Sequence, residues 1–183
     1  PPLPMATIGA CAGFAAISGS SLATAATFTR IAVPEMRRFG YDERLATGSV
    51  AAGGTLGILI PPSVIMVIYA LAAEESVPEL FAAGMIPGII LAILFVVVVW
   101  VIGLLRPDWS PTGERVPWRE RLGAALAMWK LLVLFGLAVG GIYTGWFSPT
   151  EAAGVASFAA IVIGVGTRKL NLRDTVECVS ESL

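Results

Sequence analysis

Ala51-Ala52-Gly53-Gly54-Thr55-Leu56-Gly57-Ile58-Leu59-Ile60-Pro61-Pro62-Ser63 is the stretch that decides the fold of this 183-residue chain. It sits inside an apolar segment, 45–73, that is long enough to cross a bilayer but cannot be one helix. Pro61 and Pro62 carry no backbone N–H, and a proline disfavours helix in the residue before it. Gly53, Gly54 and Gly57 leave room for close backbone approach. Two half-helices are expected, 45–57 and 63–73. A second break, Ser18-Gly19-Ser20-Ser21, divides the apolar residues upstream into Met5–Ile17 and Leu22–Val33. Each arm holds roughly a dozen residues where a span needs about 20, which predicts a re-entrant hairpin. Backbone groups stranded in lipid cost several kcal/mol each unless something binds them. Interrupted apolar segments therefore point to the substrate or ion site of a secondary transporter.

Working outward, the composition is that of a membrane protein: 56% hydrophobic and 14% charged, against roughly 25% charged for a soluble domain. The net charge of −1 supplies no basic patch, so nucleic acid is not an expected partner. There is no histidine, which removes serine–histidine and cysteine–histidine catalysis, and no phosphate-binding loop is present. An enzyme is not expected, nor any cofactor or transition metal. Cys11 and Cys178 lie far apart in unlike contexts and read as small packing residues. Pro1 and Leu183 both read as cuts through a larger protein.

Further along, Pro34–Arg44 is a polar connector, Glu74–Glu79 an acidic loop and Leu80–Leu105 an uninterrupted span. A polar stretch, Arg106–Arg121, leads to a span over Leu122–Phe147. A turn at Ser148–Glu151, a return over Ala152–Thr167 and an amphipathic tail, Leu170–Leu183, complete the order. The 12 Lys and Arg residues fall into three groups, 30–44, 106–130 and 168–173, and these spans put all three on one side, as the positive-inside rule requires. Trp100, Trp129 and Trp146 read as interfacial anchors.

At the first break, carbonyls and hydroxyls suit a small hard cation such as sodium, and helix N-termini suit an anionic group. Ser20 and Ser21 equally read as N-caps of the second arm. Thr24 and Thr27, one turn apart, fit either a polar path or bonds to their own helix. Gly57–Pro62 frees several carbonyls, and a plain kink explains one proline better than two.

Five motifs in order resemble the large membrane subunit of the tripartite ATP-independent periplasmic (TRAP) transporters. They are Ile17-Ser18-Gly19-Ser20-Ser21-Leu22-Ala23-Thr24-Ala25-Ala26-Thr27, Pro34-Glu35-Met36-Arg37-Arg38-Phe39-Gly40-Tyr41, the stretch 51–63, Leu80-Phe81-Ala82-Ala83-Gly84-Met85-Ile86-Pro87-Gly88, and Gly141–Ala153. Leu22 stands where a smaller valine is expected. The resemblance implies an all-α polytopic membrane protein, with a re-entrant hairpin and a broken helix in each of two inverted repeats. It implies sodium-driven, elevator-type import of an organic acid, such as a C4-dicarboxylate or sialic acid. Residues 1–105 would belong to the first repeat, 106–121 to a cytoplasmic connector and 122–183 to the start of the second. Sodium would be held by Ser18, Gly19, Ser20, Ser21, Gly57, Leu59 and Pro61, and substrate by Ser20, Ser21, Thr24 and Pro62. The implied partners are a periplasmic substrate-binding protein, a small membrane subunit and the lipid of the bacterial inner membrane. An anion symporter of the same architecture without a binding protein, or a membrane scaffold whose breaks are only kinks, are the competing readings.

Overall fold

The structure, a computed structural model, describes residues 2–111 and 129–166, which fall in two compact units divided after Leu122. In the first unit five helices follow one another: α1 (Pro2–Ser18), α2 (Ser21–Arg38), α3 (Glu43–Leu59), α4 (Val64–Ala73) and α5 (Val77–Leu105). Both expected breaks are present. The helix-free residues are Gly19–Ser20 at one and Ile60–Ser63 at the other. Around the proline break, α3 runs two residues further at each end than the sequence suggests and α4 starts one residue later. The expected tail, 170–183, and most of the expected connector, 112–121, lie outside the described residues.

The arms of the first break are longer than a dozen residues. α1 has 17 and α2 has 18. The sequence reading ends α2 at Val33, but the helix runs through Pro34 to Arg38, since a proline there removes one amide bond and a polar, solvated turn can absorb the loss. Arg37 and Arg38 in the last turn also suit the negative end of the helix dipole. Gly40, at φ +77°, then closes the helix. Its N–H bonds the Arg37 carbonyl and the Tyr41 N–H bonds the Met36 carbonyl, the pair of bonds that satisfies a helix C-terminus. Asp42 accepts from the Arg44 N–H at 2.8 Å and caps α3.

The chain doubles back at Gly19. Fourteen residues of straight helix would separate Phe14 from Phe28 by about 21 Å, yet their rings meet edge to face with centroids 5.8 Å apart. The open end closes in the same way. Burial pushes the Tyr41 phenol above its usual pKa, partly offset by the nearby Leu3 backbone N–H, so the start of α1 lies beside the loop that ends α2. Both arms pack along α3, and small residues set the closeness. A Cβ on Gly53 would lie 2.8 Å from Cys11 Cβ of α1, and one on Gly54 would lie 2.8 Å from Ala25 Cβ of α2. Such approach is how helices associate in lipid, where dispersion between packed surfaces replaces the hydrophobic drive.

Glu43–Ala73 and Val77–Leu105 are each long and apolar enough to cross a membrane. At 29 residues α5 is about 43 Å long, beyond the ~30 Å of a hydrocarbon core. Ile86, Ile90, Ile93, Leu94, Val97 and Val98 are exposed along it. Such a surface is stable in lipid and not in water, so the chain is a helical membrane protein. Beyond α5 a 3-10 turn, Pro107–Trp109, ties its end to the α2–α3 loop. The Asp42 N–H donates to the Trp109 carbonyl at 3.1 Å, and the Arg44 and Arg106 guanidiniums lie 5.9 and 5.8 Å from the Trp109 ring centre. This tie puts Arg44 and Arg106 on one side, as the charge pattern predicts. Trp109→Ala removes both cation–π contacts and leaves the main-chain bond. It is expected to cost about 1–2 kcal/mol, read as a lower melting temperature of the purified protein.

In the second unit α6 (Trp129–Tyr143) and α7 (Pro149–Gly166) form a helical pair. Ser148 and Glu151 start α7. The Ser148 N–H and hydroxyl both donate to the Glu151 carboxylate at 2.8 Å, and the Ser148 oxygen accepts the Glu151 N–H. This reciprocal cap explains why the helix begins at Pro149 and not at Ala152.

Candidate functional site

The two breaks meet. The Gly19 carbonyl, at the tip of the hairpin, accepts the Val64 N–H, the first amide of α4, at 3.2 Å. Gly57 reaches the same tip from the other side of the proline break. A Cβ there would lie 2.8 Å from Ser20 C, 2.8 Å from Ser21 N and 2.9 Å from the Ser20 oxygen. Gly19 has φ +60°, and a Cβ on it would lie 2.6 Å from the Pro62 oxygen. All these neighbours are backbone, so only glycine fits at either position.

Four helix ends converge as a result. The C-termini of α1 and α3 bring partial negative charge, and the N-termini of α2 and α4 bring partial positive charge. An arrangement with both signs side by side can take a cation and an anionic group close together. Acidic side chains play no part: among the described residues no group of three or more His, Cys, Asp or Glu could hold a metal ion. Any cation here is met by neutral oxygens.

Those oxygens are numerous. Pro61 and Pro62 cannot return the amide bonds that the Gly57 and Ile58 carbonyls would take from the next helical turn. The Ile60 N–H closes α3 on the Leu56 carbonyl, and none of the carbonyls from Gly57 to Pro62 accepts a hydrogen bond among the described residues. At the tip the hydroxyls form a directed chain. Thr24, fully buried, donates its only proton to the Ser20 carbonyl at 2.7 Å. Ser18, 3.1 Å from Thr24 Oγ1, must therefore be the donor of that pair. Its own lone pairs meet only a long 3.5 Å contact from the Ser20 N–H. Ser18 is left as a hydroxyl oxygen suited to a hard cation.

The sequence-predicted residues divide accordingly. Ser18, Gly19, Ser20, Ser21, Thr24, Gly57 and Pro62 are brought together. The Ser20 hydroxyl is engaged as the cap of α2, accepting the Ala23 N–H at 3.3 Å, and its carbonyl already accepts both the N–H and the hydroxyl of Thr24. Leu59 faces elsewhere: its carbonyl lies 3.1 and 3.4 Å from where Cβ atoms on Gly84 and Gly88 of α5 would be. Pro61 is fully buried, with no contact to the tip among those described. Sequence reasoning passed over Ser63 and Val64. Ser63 follows the two prolines and begins a half-helix, so the capping logic applied to Ser20 could have found it. Its residue is 1% exposed and its hydroxyl has no hydrogen-bond partner among the described residues.

With this geometry in view, the relatives of the chain are informative. The family model for the tripartite ATP-independent periplasmic transporter, DctM component, matches residues 2–183. The C4-dicarboxylate TRAP transporter large permease protein DctM of Pseudomonas aeruginosa is 43% identical over 182 residues, covering 98% of this chain and 42% of that protein. The protein of the same description from Rhodobacter capsulatus is 38% identical over 188 residues, 94% of this chain and 42% of its own. The sialic acid TRAP transporter permease protein SiaT of Haemophilus influenzae is 38% identical over 159 residues, 86% of this chain and 25% of its own. The chain thus spans about two-fifths of the length of the large permease proteins it matches.

Proposed function

The chain belongs to the DctM-component family of tripartite ATP-independent periplasmic transporters, and from that membership we propose that it carries one sodium site of a permease that imports an organic acid. The observation that supports this is the Gly19 carbonyl bonded to the Val64 amide. It joins two lipid-depth breaks at one point, among carbonyls that no amide satisfies. Sodium is held by Ser18 and by backbone oxygens of the tip and of Gly57–Pro62. Of the residues inferred from sequence, Leu59 is the weakest member, because its carbonyl abuts α5. The anionic group of the substrate lies by the positive ends of α2 and α4, near Ser20, Ser21, Thr24 and Pro62.

The hairpin enters and leaves on the basic, cytoplasmic side of the bacterial inner membrane, and a symmetric second repeat begins at 122. A periplasmic binding protein delivers the substrate, and a small membrane subunit completes the complex. Hairpin, α3 and α4 lock through glycine contacts into one block, which suits movement as a rigid elevator. A C4-dicarboxylate is the first substrate to test, given the 43% identity to the Pseudomonas aeruginosa protein. The experiment is uptake into proteoliposomes holding the complete transporter with its binding protein, across a panel of labelled organic acids. Uptake is expected with an inward sodium gradient and not with potassium in its place. Equal uptake in both overturns the coupling.

A further inference from the structure

Ser20 and Ser63 occupy equivalent positions, each the residue that opens the second half of a broken element, and they behave differently. Ser20 caps α2 through its hydroxyl. Ser63, also in extended conformation (φ −124°, ψ 126°), makes no side-chain cap to α4. Its carbonyl alone does the usual work, accepting the Val67 N–H at 3.1 Å. Its hydroxyl is buried with no partner among the described residues, a state that costs about 1–3 kcal/mol. A serine N-cap normally recovers that cost by accepting from its own helix, so a hydroxyl withheld from the cap at this point calls for another use.

Its position supplies one. Ser63 Cα lies 3.5 Å from where a Cβ on Gly19 would be, and the next residue, Val64, bonds the Gly19 carbonyl. In sequence Ser63 directly follows Gly57–Pro62, whose carbonyls accept no hydrogen bond among the described residues. We propose that the Ser63 hydroxyl is a coordinating group for the coupling sodium ion, contributed by the start of α4. This rests on the sodium reading above and adds to it a residue that the motif does not single out. A cation is favoured over the substrate's anionic group because the Ser63 side chain is sealed from the surface, where a bare ion fits and an organic acid that must enter and leave does not.

The test uses the complete transporter, purified and titrated with sodium chloride against choline chloride, reading the melting temperature, alongside uptake in proteoliposomes. Ser63→Ala removes the hydroxyl, and Ser63→Cys keeps its shape while replacing a hard oxygen by a soft sulfur. Both are expected to raise the sodium concentration at half-maximal stabilisation about tenfold, the loss of one hydrogen-bond-strength contact to a charge. In choline the Ser63→Ala melting temperature stays equal or rises, because an unsatisfied buried group has been removed. Sodium midpoints within twofold of the parent protein overturn the assignment. So does a lower melting temperature in choline at an unchanged midpoint, the mark of a structural cap. A change confined to the substrate concentration at half-saturation also overturns it, and gives Ser63 to the anion. A parent protein that sodium does not stabilise at all overturns the sodium reading itself, separately from the role of Ser63.

Discussion

Sodium-driven uptake is expected to fall at least tenfold when Gly57 becomes alanine, the smallest substitution possible. The added methyl meets Ser20 C, Ser21 N and the Ser20 oxygen at 2.8–2.9 Å. Real Cβ atoms do not sit so close to backbone, and none of the three can swing aside as a side chain would. The hairpin tip must shift away from the proline break. Overpacking of this kind costs typically ~1–3 kcal/mol, and here the displaced atoms are the proposed ligands. Binding and coupling therefore suffer before folding does. Gly48→Ala in the same helix is the matched control, since a Cβ there meets nothing within 4 Å. That change is expected to leave uptake intact and to raise stability by about 0.5–1 kcal/mol, as alanine does in a helix interior. Uptake per correctly folded molecule, normalised by fluorescence-detected size exclusion, checks both. A Gly57→Ala protein that transports like Gly48→Ala removes Gly57 from the site.

Why some of this is readable from sequence and some is not follows from the physics of each element. The break at Gly57–Pro62 is legible because proline removes an amide by covalent structure, whatever surrounds it. The placement of Arg44 and Arg106 at helix ends is legible because a guanidinium is costly inside an apolar span. The end of α2 is not, because Pro34 is tolerated by a solvated turn whose own dipole and Gly40 cap stabilise it. Helix length by apolar count alone therefore falls short there. Leu59 illustrates a different limit. Its carbonyl is free in sequence terms, but which way it points depends on Gly84 and Gly88 of α5, residues some 25 to 30 positions later. Ser63 is the converse case. Its capping position is visible in the chain, while its burial and its lack of a partner arise only when the hairpin tip covers it.

Gly19 offers the second large effect, and a way to separate two causes. Its φ of +60° is open to glycine, while most other residues pay about 1–2 kcal/mol there. Independently, a Cβ would lie 2.6 Å from the Pro62 oxygen across the junction of the two breaks. Alanine suffers both penalties. Asparagine tolerates the left-handed conformation far better, yet its Cβ meets the same oxygen. If backbone strain alone mattered, Gly19→Asn would recover most of the uptake that Gly19→Ala loses. The close approach predicts otherwise. Both variants are expected to lose at least tenfold in sodium-driven uptake and to lose the sodium-dependent rise in melting temperature, with asparagine within about twofold of alanine. The reason is that either side chain parts the Gly19 carbonyl from the Val64 amide, and with them the first broken element from the second. Recovery by asparagine would mean the two breaks can separate without harm, and the site would then have to be built from the hairpin tip alone.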